Sequence, residues 1–243
     1  KRQFFQPRQL SLKRLKETFS VWEAVLQNIS LPALTWGNHD ISRVLDRLHI
    51  DPKDSDLPKA LAVCMYLQRG IPIIYYGEEI GMRNLKYKKL RDFRDQRALD
   101  LIQFMQNQGY KDEAILELLN QQDEMTARGP FQWNAGKYVG FSNHHPWNWA
   151  DHNEAAADTA VKNDDGLFAF YRAVLKVKAQ PLFSQGSYLL LETNSKIYAF
   201  ERELNGKKAF VIVNFDDKVL KYHVPTLKVV HTLLSNKASS LID

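Results

Sequence analysis

The sequence predicts an α/β unit built on a parallel β-α-β core, followed by a small antiparallel β domain that begins near residue 181. Two observations lead there. Two apolar runs of strand length, "LPALTW" (31–36) and "IPIIYYGEEIGM" (71–82), flank a segment of helical periodicity. That order implies parallel strands joined by a right-handed crossover. After Pro181 the hydrophobic period changes to two in "GSYLLLE", "KIYAFER", "KAFVIVNF" and "KYHV", the alternation of half-buried strands.

Ser11 to Asn28 reads as a helix, because Leu12, Leu15, Phe19, Trp22 and Leu26 recur at steps of three and four on one face, with Val21 and Val25 beside it. "LPALTW" is bounded by Pro32 near its start and Gly37 after it. It delivers the polar run Asn38-His39-Asp40 at its C-terminal end, with Arg43 three residues on. Asp56 is expected to cap a second helix, with Pro58 in its first turn, that runs to Gln68 before Gly70 stops it. From Arg83 to Asp165 the chain carries a helix-like stretch from Leu99 to Asn120, then a long aromatic and polar passage containing "ARGPFQWN" and "HHPWNW". A connection of that length is usually functional rather than merely connective. Gly166 to Lys178 reads as an amphipathic helix and Asn205-Gly206 as a hairpin turn.

The 243 residues suffice for one large domain or two modest ones, and 44% hydrophobic with 25% charged residues describes an ordinary globular protein. A net charge of +5 and a pI near 9.1 raise the question of nucleic acid. Basic and acidic residues alternate throughout, however, which points away from such a partner. The densest basic stretch, Arg83 to Arg97, reads as a solvated face. Cys64, the only cysteine, sits among Leu61, Ala62, Val63, Met65, Tyr66 and Leu67 and is expected in the core rather than as a nucleophile. A lone cysteine suits a reducing compartment, so a cytoplasmic location is expected. No apolar run approaches the roughly 18 residues needed to cross a bilayer, so no membrane span is expected. The chain opens on "KRQFF" without Met, and the absence of a signal peptide therefore carries little weight.

In a (β/α)8 barrel, chemistry sits at the C-terminal ends of the strands, and His39 and Asp40 emerge at such an end. The competing reading is an Asx cap on the following helix beside a hydrogen-bonded histidine. Residue types and spacing leave both open.

The ordered set "NHDISR", "RGIPIIYYGEEIGM", "ARGPFQW" and "PWNW", with "DFRD" at Asp92 to Asp95, resembles the C-terminal half of the α-amylase superfamily (glycoside hydrolase family 13). The likeness is closest to its oligo-1,6-glucosidase and dextran glucosidase branch. It implies that residues 1–180 are the C-terminal part of a TIM (β/α)8 barrel, its last two strands and helices with a long loop after the last strand. Residues 181–243 are then a small antiparallel β-sandwich domain that ends at "SSLID", where relatives usually continue into a final strand. The family's chemistry is retaining hydrolysis of α-glucosides, by a carboxylate nucleophile and a second carboxyl group as general acid/base. By resemblance Asp40 is the family's third carboxylate, which hydrogen-bonds hydroxyls of the sugar before the cleaved bond. His39 is a neighbouring hydroxyl ligand, and Arg128 holds the non-reducing end of the substrate, with a loop anchor as the plainer alternative for Arg128. An oligosaccharide is the implied substrate of the parent enzyme. No cofactor or metal ligand set is expected.

Several positions depart from the family's pattern. Glu124, Met125 and Thr126 occupy the places of an Arg-Asp-Asn run, and Gly129 and Phe131 replace Thr and Met. Glu78 and Glu79 look like paired carboxylates, but neighbours on a strand face opposite ways, and no catalytic role is assigned to them. Nothing matches the segments that carry the nucleophile and the general acid. This chain is accordingly expected to be an inactive segment of an α-glucosidase, prone to self-association through exposed barrel strands. The alternative is a non-catalytic, amylase-like protein-binding subunit.

Overall fold

The computed structural model describes residues 10–149, 155–224 and 231–236. The elements are α1 (Leu12–Leu26), β1 (Ala33–Leu34), α2 (Val44–Arg47), α3 (Asp56–Tyr66), β2 (Ile71–Pro72), α4 (Gln96–Asn107), α5 (Asp112–Gln122), α6 (Ala157–Ala160), α7 (Leu167–Lys178), α8 (Pro181–Ser184), β3 (Ser187–Leu190), β4 (Ile197–Leu204) and β5 (Lys207–Asn214). They fall into two compact units. Among the described residues, one comprises Trp36–Asp51 and Ile74–Phe168; the other comprises Leu10–Thr35, Pro52–Ile73 and those from Ala169 onward.

In the second unit, Ser11 caps α1 by accepting from the Arg14 amide at 3.3 Å, and the helix ends as periodicity predicts. Its expected face is only partly covered: Leu12 is buried, but Val21, Trp22 and Val25 are exposed. β1 and β2 pair in parallel, Ala33 with Ile71 and Leu34 with Pro72. They are far shorter than the apolar runs that announced them: the ladder runs from the Ile71 amide on Pro32 O at 2.9 Å to the Ile73 amide on Leu34 O at 2.8 Å and goes no further. The start of α3 also differs from expectation. Asp54 Oδ1 accepts from the amides of Asp56 and Leu57 at 2.9 Å, so Asp54 does the capping and Asp56 is already helical.

β3, β4 and β5 form one antiparallel sheet in that order. The β4 and β5 strands are joined at Leu204↔Lys207 by Asn205 and Gly206, with φ of 52° and 77°. Positive φ at both positions is the type I′ geometry that matches strand twist, and Asn-Gly adopts it with little strain. β4 is buried on both faces. One face packs Ile197 and Ala199 against Leu191, Phe210, Leu220 and Tyr222, and α1, α3 and α8 pack on the sheet. "KYHV", expected as a strand, is irregular, and among the described residues there is no second antiparallel sheet to make a sandwich. Helices cover the sheet instead, which satisfies the same need to bury it. Residues 225–230 and 237–243, expected to belong to this β domain, lie outside the described residues.

A polar knot closes the C-terminal end of α3. Arg202, fully buried, donates to the carbonyls of Leu67 (2.9 Å), Gly186 (2.7 Å) and Ser187 (2.8 Å). Lys178, also buried, donates to Gln68 O and, at 3.3 Å, to Phe183 O. Both cations thus meet carbonyls that a helix end leaves without partners. Burial, with Arg202 and Arg69 nearby, pulls the Lys178 ammonium from its usual 10.5 down to about 7. Between those values the unfolded chain holds a proton that the folded chain does not, so this group's contribution to stability rises as pH rises from about 7 toward 10. We expect Lys178→Met to flatten that segment of the stability profile measured by urea unfolding; a profile of unchanged slope would show that Lys178 is not its source.

The first unit is centred on α4 and α5, where Phe93, Ala98, Met105, Ile115, Leu118 and Leu119 share one core with Leu85, Tyr87 and Met125. The single helix expected from Leu99 to Asn120 is two. Gly109, at φ 82°, ends the first, and Lys111 opens the second. Asn84 caps the end of α5 by donating to the carbonyls of Asn120 (2.9 Å) and Gln121 (3.2 Å). The basic stretch is solvated as expected at Lys88, Lys89, Arg91 and Arg94, while Lys86 reaches the Asp46 carboxylate at 3.4 Å. Cys64 is wholly buried, and burial raises its thiol pKa far above the usual range, so it is a core residue and not a nucleophile.

Candidate active site

All three residues singled out in the sequence lie in the first unit, and the fold brings them together. Asn38 Oδ1 accepts from the Asp40 amide at 2.8 Å, an Asx turn that holds the polar run in shape. The run does not cap a helix: α2 starts only at Val44, and its N-cap is Arg43. His39 Nε2 lies 3.2 Å from Asp40 Oδ1, with the two side chains 69% and 59% exposed, so neither is a buried structural group. From 88 residues away, Arg128 Nη2 donates to Asp40 Oδ1 at 3.2 Å, and its Nε donates to His39 O at 2.7 Å. Nη2 also donates to Glu124 Oε1 at 2.9 Å, and Glu124 in turn pairs with Arg97 at 3.1 Å. Arg128 Nη1 makes no hydrogen bond among the described residues.

The loop that carries Arg128 is fixed through its backbone. Ala127 O accepts from Arg43 Nη2 at 3.1 Å and Tyr75 Oη at 3.2 Å. Arg128 O accepts from Asn148 Nδ2 at 3.1 Å, and Gly129 O from Tyr76 Oη at 2.6 Å. At Gly129 a Cβ would stand 2.8 Å from Leu85 Cδ2, so a larger residue here would displace the Leu85 side chain. Arg43, the arginine of "NHDISR", is therefore an organiser rather than a ligand. It is buried, lies about 5 Å from the ring centres of Tyr75 and Tyr76, donates through Nη1 to Tyr76 O at 2.8 Å, and donates through its own amide to Asn84 Oδ1 at 2.8 Å. Burial lowers its pKa, while the two tyrosines, Glu79 and Asp46 act the other way.

Arg43 and Glu78 line a cavity of about 10 Å³ with Gly37, Val44, Leu45, Tyr75 and Met82. That is room for one water and no sugar. Glu78 and Glu79 lie on a 3-10 turn (78–80) between Gly77 and Gly81, both with positive φ, and not on the strand expected for them. Burial raises the Glu79 carboxyl above its ordinary range. Sequence reasoning missed Tyr75, Tyr76 and Asn148 as supports of the loop. The tandem tyrosines read only as a strand end, and "PWNW" carried no signal for which of its polar groups faces inward.

Comparison with known proteins decides the family. The model of the α-amylase catalytic domain matches residues 2–186. The chain belongs to the α-amylase family. Its sequence is 32% identical over 93% of its length to the oligo-1,6-glucosidase of Halalkalibacterium halodurans, covering 42% of that enzyme. It is 30% identical over 84% of its length to the trehalose-6-phosphate hydrolase of Escherichia coli, covering 38% of it. Among solved structures, the trehalose-6-phosphate hydrolase of Bacillus licheniformis superposes with a TM-score of 0.85 at 28% identity, over 95% of this chain and 44% of that one. A family GH13_31 enzyme gives 0.79 at 37% identity, over 89% and 40%. This family member thus spans about two-fifths of the relatives it matches and carries part of the family's barrel fold. No helix among the described residues is long and apolar enough to cross a membrane.

Proposed function

We propose that this chain is the C-terminal part of a retaining α-glucosidase that cleaves glucosyl units from the non-reducing end of oligosaccharides. The observation that supports it best is the convergence of Arg128 on Asp40 and His39. In this reading β1 and β2 are the last two strands of the barrel, and 181–243 is the domain that follows it. Asp40 accepts from sugar hydroxyls and, as the ring flattens and gains positive charge, complements that charge from a fixed position. Arg128 balances two carboxylates with one Nη2 group and offers Nη1 to a terminal hydroxyl, a division of labour that a lysine could not reproduce. His39, whose Nε2 lies 3.2 Å from Asp40 Oδ1, is the neighbouring ligand of a sugar hydroxyl. The nucleophile and general acid come from outside these residues.

One assay with two arms tests this reading. The longer protein that carries this segment hydrolyses a chromogenic α-glucoside with retention, whereas the 243-residue chain does not, because proximity and electrostatics cannot replace both missing carboxyl groups. Activity that stays with the purified chain contradicts the division of roles. Inactivity of both favours the protein-binding alternative.

The same reading implies self-association of the chain. Leu31, Ile71 and Ile73 around the two-stranded sheet, with Val21, Trp22 and Val25 on α1, are exposed apolar groups that a second copy would cover. A two-fold contact buries both copies' faces at once. Sedimentation velocity across a concentration series is expected to show a concentration-dependent dimer. A monomer at every concentration rejects it.

A further inference from the structure

Two carboxylates hold Arg128, and they do not hold it equally. Its Nη2 donates to Glu124 Oε1 at 2.9 Å and to Asp40 Oδ1 at 3.2 Å. Charge-assisted bonds from a guanidinium to a carboxylate run at about 2.7–2.9 Å and are commonly two-pronged. The Glu124 bond has that length. The Asp40 bond is longer and uses a single nitrogen, because Nε is engaged by His39 O at 2.7 Å. Exposure ranks the two pairs in the same order: the Glu124 side chain is 19% exposed and that of Asp40 59%, so water and salt screen the Asp40 pair far more.

Glu124 is placed by a backbone segment with few free groups. It opens a 3-10 turn, Glu124–Ala127, capped by the buried Asp123. Asp123 Oδ1 accepts from the Met125 amide at 2.9 Å, and Asp123 O from Thr126 Oγ1 at 2.6 Å. Met125 O accepts from Asn148 Nδ2 at 2.8 Å, and Thr126 O from the Leu85 amide at 2.8 Å. On its outer side Glu124 Oε2 accepts from Arg97 Nη1 of α4 at 3.1 Å. Glu124 and Arg128 thus sit four residues apart on one braced segment, whereas Asp40 arrives from a separate loop.

We propose that Glu124 is a positioning residue: it fixes the Arg128 guanidinium, and the contact between Arg128 and Asp40 is the one that yields when a sugar hydroxyl takes the Asp40 carboxylate. This rests on the α-glucosidase reading for what Arg128 and Asp40 bind, and adds which group orients the arginine. Without Glu124, Arg128 would close two donors on Asp40 and take up acceptor positions and charge that the substrate requires. With Glu124 as the closer and less screened partner, Arg128 stays oriented while Asp40 keeps acceptor capacity. Glu124 stands in the place of an arginine in the family's pattern, so the bracing of Arg128 by an anion belongs to this chain rather than to the motif in general.

The test reads the Arg128 Nε–H proton by NMR of the 15N-labelled chain, its signal assigned by its loss in Arg128→Lys. Glu124→Gln keeps the shape and removes the charge. We expect it to shift that signal and to speed its exchange with water at least about tenfold. Glu124→Asp, which withdraws the carboxylate by one methylene, should act the same way, and Asp40→Asn should leave the signal near that of the unaltered chain. Arg97→Gln, which removes only the outer partner of Glu124, should have the smaller effect. The proposal is overturned if Asp40→Asn disturbs the arginine as much as Glu124→Gln does, or if both Glu124 variants leave it still. It is also overturned if Glu124→Gln and Arg97→Gln change only the amides of α4, since Glu124 would then serve that helix and not Arg128. None of these measurements needs a sugar, so they judge Glu124 whether or not the α-glucosidase reading stands. In the proposed α-glucosidase, Glu124→Gln should raise KM about tenfold and lower kcat less, because a binding group loses its orientation. A fall in kcat at unchanged KM would overturn the positioning role, whereas absence of hydrolysis by the unaltered enzyme counts against the α-glucosidase reading alone.

Discussion

Replacing Asp40 by asparagine is expected to lower kcat of the proposed α-glucosidase by at least about a hundredfold, while the fold is kept. Asparagine has the same shape but no charge, so what is lost is the term that grows as the glucosyl ring becomes cationic. Ground-state binding through hydroxyls changes less, and KM should move far less than kcat. Stability should hardly move, for reasons visible around the residue. Asp40 is 59% exposed, and Arg128 retains Glu124 at 2.9 Å and His39 O at 2.7 Å after the substitution. An exposed pair of this kind contributes at most about 1 kcal/mol. The measurement is steady-state hydrolysis of an α-glucoside beside urea unfolding of the same variant. A near-normal kcat would remove Asp40 from the chemistry.

The largest expected effect on stability is at Arg202. Its three donors satisfy the carbonyls of Leu67, Gly186 and Ser187, and the residue is fully buried. Arg202→Met keeps the stem and removes every donor, leaving the buried carbonyls of Leu67 and Gly186 without this partner at roughly 1–3 kcal/mol each, and the part-buried one of Ser187 at less. Part of that is offset because a guanidinium no longer has to be desolvated, a cost already seen in its pKa, which burial pulls down to about 10. The net loss is expected at about 3–5 kcal/mol in urea unfolding. Arg202→Lys, which restores a single ammonium in place of the three-nitrogen fork, should recover a fraction. A loss below about 1 kcal/mol for the methionine variant would mean that water or a shifted backbone replaces the guanidinium.

The sequence by itself determined the elements whose cause is local. The period of three to four residues placed α1 and α7, the period of two placed β3 to β5, and Asn205-Gly206 placed the turn between β4 and β5, because each depends on residues adjacent in the chain. The motif order likewise carried the family, and with it Asp40, His39 and Arg128 as candidates. Where a partner distant in sequence decides the outcome, local pattern failed. "IPIIYY" contributes only two strand residues because pairing with β1 ends at Pro72, and "KYHV" covers β4 without joining the ladder. The cap of α3 passed from Asp56 to Asp54, a choice made by loop geometry that no propensity contains. The site shows the same division. Candidate residues could be named from the motifs, but only the tertiary structure decided that Arg128 reaches Asp40 across 88 positions and that Glu124 shares its guanidinium. It also decided that Arg43, Tyr75, Tyr76 and Asn148 hold the loop by its carbonyls. Backbone carbonyls carry no residue identity, so a side chain committed to one of them leaves no partner in the sequence to be read.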